Sequence, residues 1–140
     1  MKDLRSKKIK EVMVRGVVII PENASVSQAI RTMADKKISG LAVTSSTEGL
    51  VGVLSETDIV KIYDKDFTTV KVKDIMTKGV ITIDKEETLD KACQIMREKR
   101  IHRLIIQDEV KGVYGKGGEA KYFPSGVLSI SDIIKVLAQD

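Results

Sequence analysis

The sequence contains very few of the residues that build disulfides, metal centres and aromatic cores. It has one cysteine, Cys93, and one histidine, His102, so neither an internal disulfide nor a metal-binding cluster is expected. Tryptophan is absent and aromatic residues make up only 4% of the 140 positions, which predicts an aliphatic core. Long apolar runs are missing as well, since none approaches the roughly 18 residues of a membrane span.

The first ten residues and the net charge bear on where the protein is located and on what it binds. The first ten residues, MKDLRSKKIK, lack the apolar region of a secretory signal peptide, so we expect a cytoplasmic protein without structural metal. Basic residues exceed acidic ones by 24 to 20, and five of them fall in these ten positions beside one acid. Such a run is typical of a solvated tail, which we assign to residues 1–7. The excess is too small to indicate nucleic-acid binding by itself.

One ten-residue phrase is present twice in the chain. GVLSETDIVK at 52–61 and GVLSISDIIK at 126–135 are identical at seven positions. Residues 10–43 also align without a gap with residues 73–106, at a spacing of 63 rather than 74. The chain therefore consists of two copies of one unit, and the second copy carries 11 additional residues within 108–125.

Each copy is predicted to fold as β-α-β-β-α, which gives a mixed α+β protein of two repeats packed with approximate two-fold symmetry. Neither copy is expected to bury enough apolar surface to be stable alone. The predicted strands are 17–20, 41–43 and 51–54 in the first copy and 80–83, 104–106 and 126–128 in the second. The predicted boundaries are a basic tail at 1–7, the first repeat at 8–64, a linker at 65–71 and the second repeat at 72–139.

Two helices are predicted in each copy. Ser25 and Thr88 suit the N-cap of the first helix, and helices over 58–63 and 132–137 follow the third strands. Apolar residues recur at intervals of three and four, as on one face of a helix, and are interpreted as core positions. These residues are Val26, Ala29, Ile30, Met33, Leu89, Ala92, Cys93 and Met96.

The repeated phrase contains Ser-x-x-Asp at 55–58 and 129–132, at the start of the last helix. Alone, this pattern is typical of a helix N-cap, worth about 1 kcal/mol, with an acid that complements the helix dipole. Both copies also keep a glycine three residues earlier, Gly52 and Gly126, which we interpret as room for a ligand near the backbone. A helix start suits a phosphate and a carboxylate suits two neighbouring hydroxyls, so the pattern predicts one nucleotide site per copy.

Two tandem units of this kind, each with G-h-h-[ST]-x-x-D before its last helix, resemble a pair of cystathionine-β-synthase (CBS) domains over about residues 8–138. The resemblance implies a regulatory module without catalytic residues that binds AMP, ADP, ATP or S-adenosylmethionine in clefts between the repeats. It also implies a homodimer that acts on an unidentified partner protein.

In that family the aspartates of the phrase hold the ribose hydroxyls and its serines lie near the phosphate. Backbone at the start of each second strand reads the adenine, together with one residue of each first strand. The ligand-binding residues implied in this way are Val18, Ile38, Ser39, Gly40, Ser55, Thr57, Asp58, Thr82, Ile101, His102, Arg103, Ser129, Ser131 and Asp132.

The stretch KRIHRLII at 99–106 distinguishes the second copy. It resembles the repeats of the AMP-activated kinase regulatory subunit, in which such residues meet nucleotide phosphates. A lone histidine beside a strand is more often structural, but here we favour phosphate contact by His102 and Arg103. The first copy has Ser39 and Gly40 instead, so the two sites are expected to differ in affinity.

The additional residues of the second copy fall within DEVKGVYGKGGEAKYFPS at 108–125. This stretch lacks the Gly-Lys-Ser/Thr ending and the strand-to-helix context of a phosphate-binding loop. Its glycines favour a flexible hairpin extension. Three aromatic residues, Tyr114, Tyr122 and Phe123, lie in this stretch. A surface that binds a partner and a lid over one site are therefore two alternatives to a mobile loop.

Two other classes of function compete with ligand sensing. For an enzyme, the sequence offers no nucleophile elbow, metal set or catalytic carboxylate pair apart from the two equivalent aspartates. Nucleic-acid binding or partner scaffolding without a nucleotide is the second alternative, although no reader helix or RNP-like aromatic pattern supports nucleic-acid binding. Since no catalytic or transport domain adjoins the repeats, we expect the protein to act on a separate partner.

Overall fold

The computed structural model describes residues 4–114 and 120–139. These residues form a mixed α+β fold, as predicted, and none of their helices is long and apolar enough to cross a membrane. The strands are β1 (Val14–Arg15), β2 (Ile19–Pro21), β3 (Gly40–Ser45), β4 (Gly49–Ser55), β5 (Thr82–Ile83), β6 (Arg103–Tyr114) and β7 (Ala120–Ser129). The helices are α1 (Val26–Lys36), α2 (Glu56–Val60), α3 (Val72–Ile75), α4 (Leu89–Lys99) and α5 (Ile130–Ala138), with 3-10 helices at Leu4–Ser6 and Ile9–Glu11.

The chain divides into two compact units, each built around one sequence repeat. The first-repeat unit contains residues 18–80, together with residues 110–114 and 120–122 of the second repeat. The second-repeat unit contains residues 81–109 and 123–139, together with residues 4–17 from the start of the chain. The segments that open the two sequence repeats, residues 8–17 and 71–80, are here called lead segments. Each lead segment therefore belongs to the unit of the other repeat.

Equivalent hydrogen bonds attach the two lead segments to their units. The amide of Ile9 donates to the carbonyl of Glu87 at 2.9 Å, and the amide of Val72 donates to the carbonyl of Ala24 at 2.8 Å. Ile9 and Val72 are both fully buried, each in the core of the unit that accepts it. Each unit is therefore completed by the lead segment of the other repeat, because that segment supplies a residue of its core.

The first-repeat unit has a three-stranded sheet in the order β2-β3-β4. β2 is parallel to β3, and β3 is antiparallel to β4. Helix α1 begins as predicted, because Ser25 Oγ accepts a hydrogen bond from the amide of Gln28 at 3.1 Å. The predicted apolar stripe faces the core, where Val26, Ala29 and Met33 are buried.

The second-repeat unit has a four-stranded sheet in the order β1-β7-β6-β5. β1 is antiparallel to β7, and β5 is parallel to β6. Thr88 caps α4 as predicted by accepting from the amide of Lys91 at 3.2 Å. Cys93 packs against the core, where burial raises the pKa of its thiol. The buried residues of this helix are Leu89, Ala92 and Met96.

Several element boundaries differ from the prediction. β5 begins at Thr82 rather than at residue 80, and β6 and β7 extend well beyond the predicted strands at 104–106 and 126–128. β2 begins at Ile19 rather than at residue 17. Helix α2 ends at Val60, so the last residues of the predicted 58–63 helix form turns. A polar turn follows, in which the Asp66 carboxylate accepts from the amide and the hydroxyl of Thr68 at 2.9 and 2.6 Å. Such local side-chain bonds compete with helix continuation.

The basic run at the start of the chain is not a solvated tail from Lys7 onward. The carbonyl of Lys7 accepts from the amide of Leu89 at 2.8 Å. Lys8 Nζ and Lys10 Nζ lie 2.9 and 2.8 Å from the carboxylate oxygens of Glu86. Hydrogen bonds from Lys10 and Lys8 lower the pKa of Glu86 to about 2. These lysines therefore fix the first lead segment to the second-repeat unit.

We expect Glu86→Gln to make the stability of the protein less dependent on acid pH. A lowered pKa means that the charged carboxylate stabilises the fold above its ordinary pKa of 4.5, and that this contribution is lost as the pH falls toward about 2. The variant should lower the urea midpoint at neutral pH and flatten its decline over that range. Glu87→Gln is the matched control, and identical profiles for the two variants would contradict the assignment.

Candidate ligand-binding sites

Each candidate site starts from the same side-chain arrangement at a strand-to-helix junction. After β4, Ser55 Oγ accepts from the amide of Asp58 at 3.3 Å, and Asp58 Oδ2 accepts from the amide of Ser55 at 2.9 Å. After β7, Ser129 and Asp132 form the same pair of bonds at 3.2 and 2.9 Å. The capping interpretation of Ser-x-x-Asp is thus confirmed in both copies.

The serine hydroxyls also bond to the aspartates. Ser55 Oγ donates to Asp58 Oδ2 at 3.1 Å, and Ser129 Oγ donates to Asp132 Oδ2 at 2.9 Å. A hydroxyl carries one proton, so in this arrangement neither serine has a second donor for a phosphate. The carboxylates use Oδ2 for the cap, which leaves the lone pairs of Oδ1 as further acceptors.

The start of the second strand lies beside the capped helix in each unit. The amide of Glu56 donates to the carbonyl of Ser39 at 3.2 Å, and the amide of Ile130 donates to the carbonyl of His102 at 3.0 Å. These two hydrogen bonds occupy equivalent positions in the two repeats. They place each predicted adenine-reading loop next to the serine and aspartate of its own repeat.

The first strand of each unit begins at the same edge of the sheet. The carbonyl of Val18 accepts from the amide of Ala42 at 3.1 Å, and the carbonyl of Ile81 accepts from the amide of Ile105 at 3.4 Å. Val18 is therefore equivalent to Ile81, and the predicted site residue Thr82 is one position further along β5. Because the first and second strands are parallel, their N-terminal ends meet at one edge.

The predicted site residues divide between the two units without overlap. Those of one set lie around the start of α2, and those of the other set lie around the start of α5. The first-repeat unit contains Val18, Ile38, Ser39, Gly40, Ser55, Thr57 and Asp58. The second-repeat unit contains Thr82, Ile101, His102, Arg103, Ser129, Ser131 and Asp132.

The interpretation of Gly52 and Gly126 as room for a ligand is wrong. A Cβ on Gly52 would lie 2.7 Å from Met76 Sδ, and one on Gly126 would lie 2.8 Å from the carbonyl oxygen of Val14. Side-chain carbons do not approach other atoms so closely without displacing them. Glycine is needed here because the paired lead segment lies so close to the strand that a side chain has no space.

Thr77 belongs to the first-repeat site although no sequence pattern pointed to it. It pairs with Val53 through backbone hydrogen bonds of 2.9 and 3.0 Å, and its Oγ1 lies 3.4 and 3.5 Å from the two carboxylate oxygens of Asp58. In the second-repeat unit Val14 occupies the equivalent place, paired with Val127. The alignment of the two repeats at a spacing of 63 residues pairs Thr77 with Val14. It does not show which of the two site aspartates lies beside each of these residues.

Basic residues gather at the end of α4, beside the second-repeat site. His102 and Arg103 are exposed, and only Ile101 separates them from the exposed Lys99 and Arg100. Arg100 adopts the left-handed conformation with φ 55°, as does Lys37 after α1. The clustered positive charge favours an anionic group at the second-repeat site.

Two further features bear on the site predictions. Among residues 4–114 and 120–139, no three His, Cys, Asp or Glu side chains come together in a way that could hold a metal ion. β6 and β7 are neighbouring strands, as the predicted hairpin extension requires. The side chains of Tyr114, Tyr122 and Phe123, on which the predicted lid or partner surface depends, lie outside the described part of the structure.

The chain belongs to the CBS-domain family. The family model of the CBS domain matches residues 9–65 and 72–139, which correspond to the two sequence repeats. The fold, the doubled capping box and this match together confirm the resemblance seen in the sequence. The protein is therefore a tandem CBS-domain pair.

Its relatives include an enzyme and proteins of the same fold. Inosine-5'-monophosphate dehydrogenase of Methanocaldococcus jannaschii is 32% identical over 129 residues, which are 92% of this chain and 23% of that enzyme. The structure of an uncharacterized conserved protein of Pyrococcus horikoshii matches with a TM-score of 0.75 at 24% identity. The match covers 98% of this chain and 95% of that protein's chain. A hexameric CBS-CP12 protein from bloom-forming cyanobacteria has a TM-score of 0.71 at 28% identity, covering 91% of this chain and 66% of its own. The chain spans less than half the length of the curated relatives it matches.

We expect Gly126→Ala to destabilise the protein by about 1–3 kcal/mol, the range for inserting a methyl group where no space exists. The physical reason is the 2.8 Å approach of the added Cβ to the carbonyl oxygen of Val14. Urea unfolding measures the loss. An unchanged midpoint together with weaker binding of AMP would restore the original interpretation of this glycine as a ligand position.

Proposed function

We propose that the protein is a regulatory module that binds an adenosine nucleotide, with one site in each unit. AMP, ADP, ATP and S-adenosylmethionine are the candidate ligands. The observation that carries the proposal is the duplicated site: a helix-capped carboxylate beside a backbone loop at the sheet edge, held by the same hydrogen bonds in both units.

The carboxylate geometry supports a ribose partner. Capping uses Oδ2, and the described hydrogen bonds of Asp132 all fall on that oxygen. Oδ1 remains an acceptor with two lone pairs, and the two neighbouring hydroxyls of a ribose are donors. The side chain is already held by its cap, so little rotamer entropy would be lost on binding.

Charge supports a phosphate at the second-repeat site. The hydroxyl of Ser129 already donates to Asp132, so it is a poor additional donor for a phosphate. His102 and Arg103 are exposed beside the same helix start, where Arg103 supplies a positive charge and both side chains supply N–H donors that the serine cannot. We therefore assign phosphate recognition in this unit to His102 and Arg103 rather than to the serine.

The side-chain contacts favour ligand binding over the two competing functions, catalysis and nucleic-acid binding. A nucleophilic serine needs a base that accepts its proton, but each serine here donates to a capping carboxylate, an arrangement that serves the helix. For nucleic acid, two of the N-terminal lysines are already paired with Glu86. We propose that the protein is not an enzyme and acts on a separate partner; its similarity to a dehydrogenase is confined to 23% of that enzyme's length.

Asp132→Asn and Asp58→Asn should each weaken binding of AMP at their own site by about 1.5–3 kcal/mol, the range for a hydrogen bond to a charged group. Calorimetric titration of the purified protein with AMP, ADP, ATP and S-adenosylmethionine is the measurement. GTP is the specificity control.

A matched control exists in α3, where Asp74 Oδ2 accepts from the amide of Lys71 at 3.2 Å, as the site aspartates accept from the amides of Ser55 and Ser129. Asp74→Asn should lose the same kind of cap, with a stability cost of a few tenths to about 1 kcal/mol, and leave nucleotide binding unchanged. The proposed function fails if no adenosine compound binds the wild-type protein at millimolar concentration.

We also propose that the protein forms a homodimer through its α2 and α5 helices. Exposed apolar residues occupy equivalent positions in the two repeats: Val60 and Ile134 are 66% and 57% exposed, and Tyr63 and Leu137 are 77% and 51% exposed. Ile130 adds a third apolar side chain on α5, at 41% exposure. A stripe of this kind on both repeats is typical of a surface that another protein covers.

Light scattering at tens of micromolar protein, a concentration suited to modest interfaces, should give about twice the monomer mass of 15.5 kDa. Ile134→Lys should shift the mass toward the monomer, because a charge would be buried in the contact. Gln94→Lys, on the exposed side of α4, is the control and should leave the mass unchanged. A monomer mass for the wild-type protein, or a hexamer, would contradict the dimer.

A further inference from the structure

The two site carboxylates do not have the same partners. Asp58 accepts from the amide and hydroxyl of Ser55, and Thr77 Oγ1 lies within 3.5 Å of both its oxygens. Asp132 has the corresponding two bonds from Ser129, and no third donor reaches it from the described residues. Asp58 is only 8% exposed, whereas Asp132 is partly exposed.

The difference comes from one side chain at equivalent positions of the two lead segments. Thr77 pairs with Val53 in β4, and Val14 pairs with Val127 in β7. Threonine and valine are both β-branched and of similar size, and both side chains are exposed here. The two units therefore differ at this point by a hydroxyl in place of a methyl group.

We propose that Thr77 makes the two nucleotide sites unequal, so that the Asp132 site binds first and the Asp58 site second. This inference rests on the proposed function. A ribose that donates two hydrogen bonds to Asp58 must share or displace the Thr77 hydroxyl, and it must do so at a carboxylate that is nearly buried. At Asp132 the same ribose meets an acceptor that Val14 leaves open.

Site-resolved calorimetry with AMP tests the ordering. Asp58→Asn leaves the Asp132 site intact and should bind AMP more tightly than Asp132→Asn, which leaves the Asp58 site. In the Asp132→Asn background, Thr77→Val should raise AMP affinity about two- to tenfold, the equivalent of one net hydrogen bond. In the Asp58→Asn background, Val14→Thr should lower it by a similar factor.

The direction of the change separates this role from others. General damage to the fold would lower affinity in both backgrounds, and so would loss of a direct ligand contact by Thr77. A decrease, or no change, on Thr77→Val in the Asp132→Asn background overturns the proposal. Tighter AMP binding by Asp132→Asn than by Asp58→Asn overturns the ordering.

The contact between Thr77 and Asp58 can also be tested without nucleotide. Urea unfolding of Thr77→Val, Asp58→Asn and the double variant should give non-additive midpoint shifts, because the two side chains interact. Val14→Ala combined with Asp132→Asn is the matched pair and should be additive. Additive shifts for the Thr77 and Asp58 pair overturn the proposal. If wild-type protein binds no adenosine compound, the proposed function fails and the site ordering fails with it, while a non-additive cycle would still establish the contact.

Discussion

The close pairing of a lead segment with a glycine-containing strand ties that segment to its unit in both halves of this protein. Gly52 and Gly126 lie where a methyl group would collide with the crossing backbone or its methionine. The same segments bury Ile9 and Val72 in the two cores. Three residues beyond each glycine the strand ends at the serine that caps the next helix. Each candidate site thus lies three residues from the point at which a distant segment packs most closely against the strand.

Each site carboxylate caps a helix, and in the proposed function the same side chain also binds the ligand. A carboxylate has two oxygens, and the capping box engages only Oδ2 of Asp132. The bonds that start α5 also prevent the side chain from rotating, so its second oxygen has a defined direction before any ligand arrives. The two readings of Ser-x-x-Asp are therefore compatible, since the cap supplies the orientation on which recognition depends.

Local features were predictable from the sequence because their causes are local. The N-caps at Ser25 and Thr88 need only residues three positions away, and the core stripes of α1 and α4 follow from helical periodicity. The early end of α2 was missed because a polar turn around Asp66 competes with the helix. The exchange of lead segments was hidden for a different reason. KEVMVRG and KDIMTKG are so similar that either could complete either unit, and the contact of Thr77 with Asp58 follows only from the exchange.

The exchange also gives the chain an order of assembly during synthesis. Thr77 pairs with Val53 only 24 residues earlier, so the first-repeat unit can close as soon as its own lead segment emerges. Val14 must wait for Val127, which is made 113 residues later. At about 5–20 residues per second, this delay lasts roughly 6–20 s. The first lead segment is therefore among the last parts of the two repeats to find its place, and the side chain of Ile9, which is buried in the folded protein, stays uncovered while the first repeat folds.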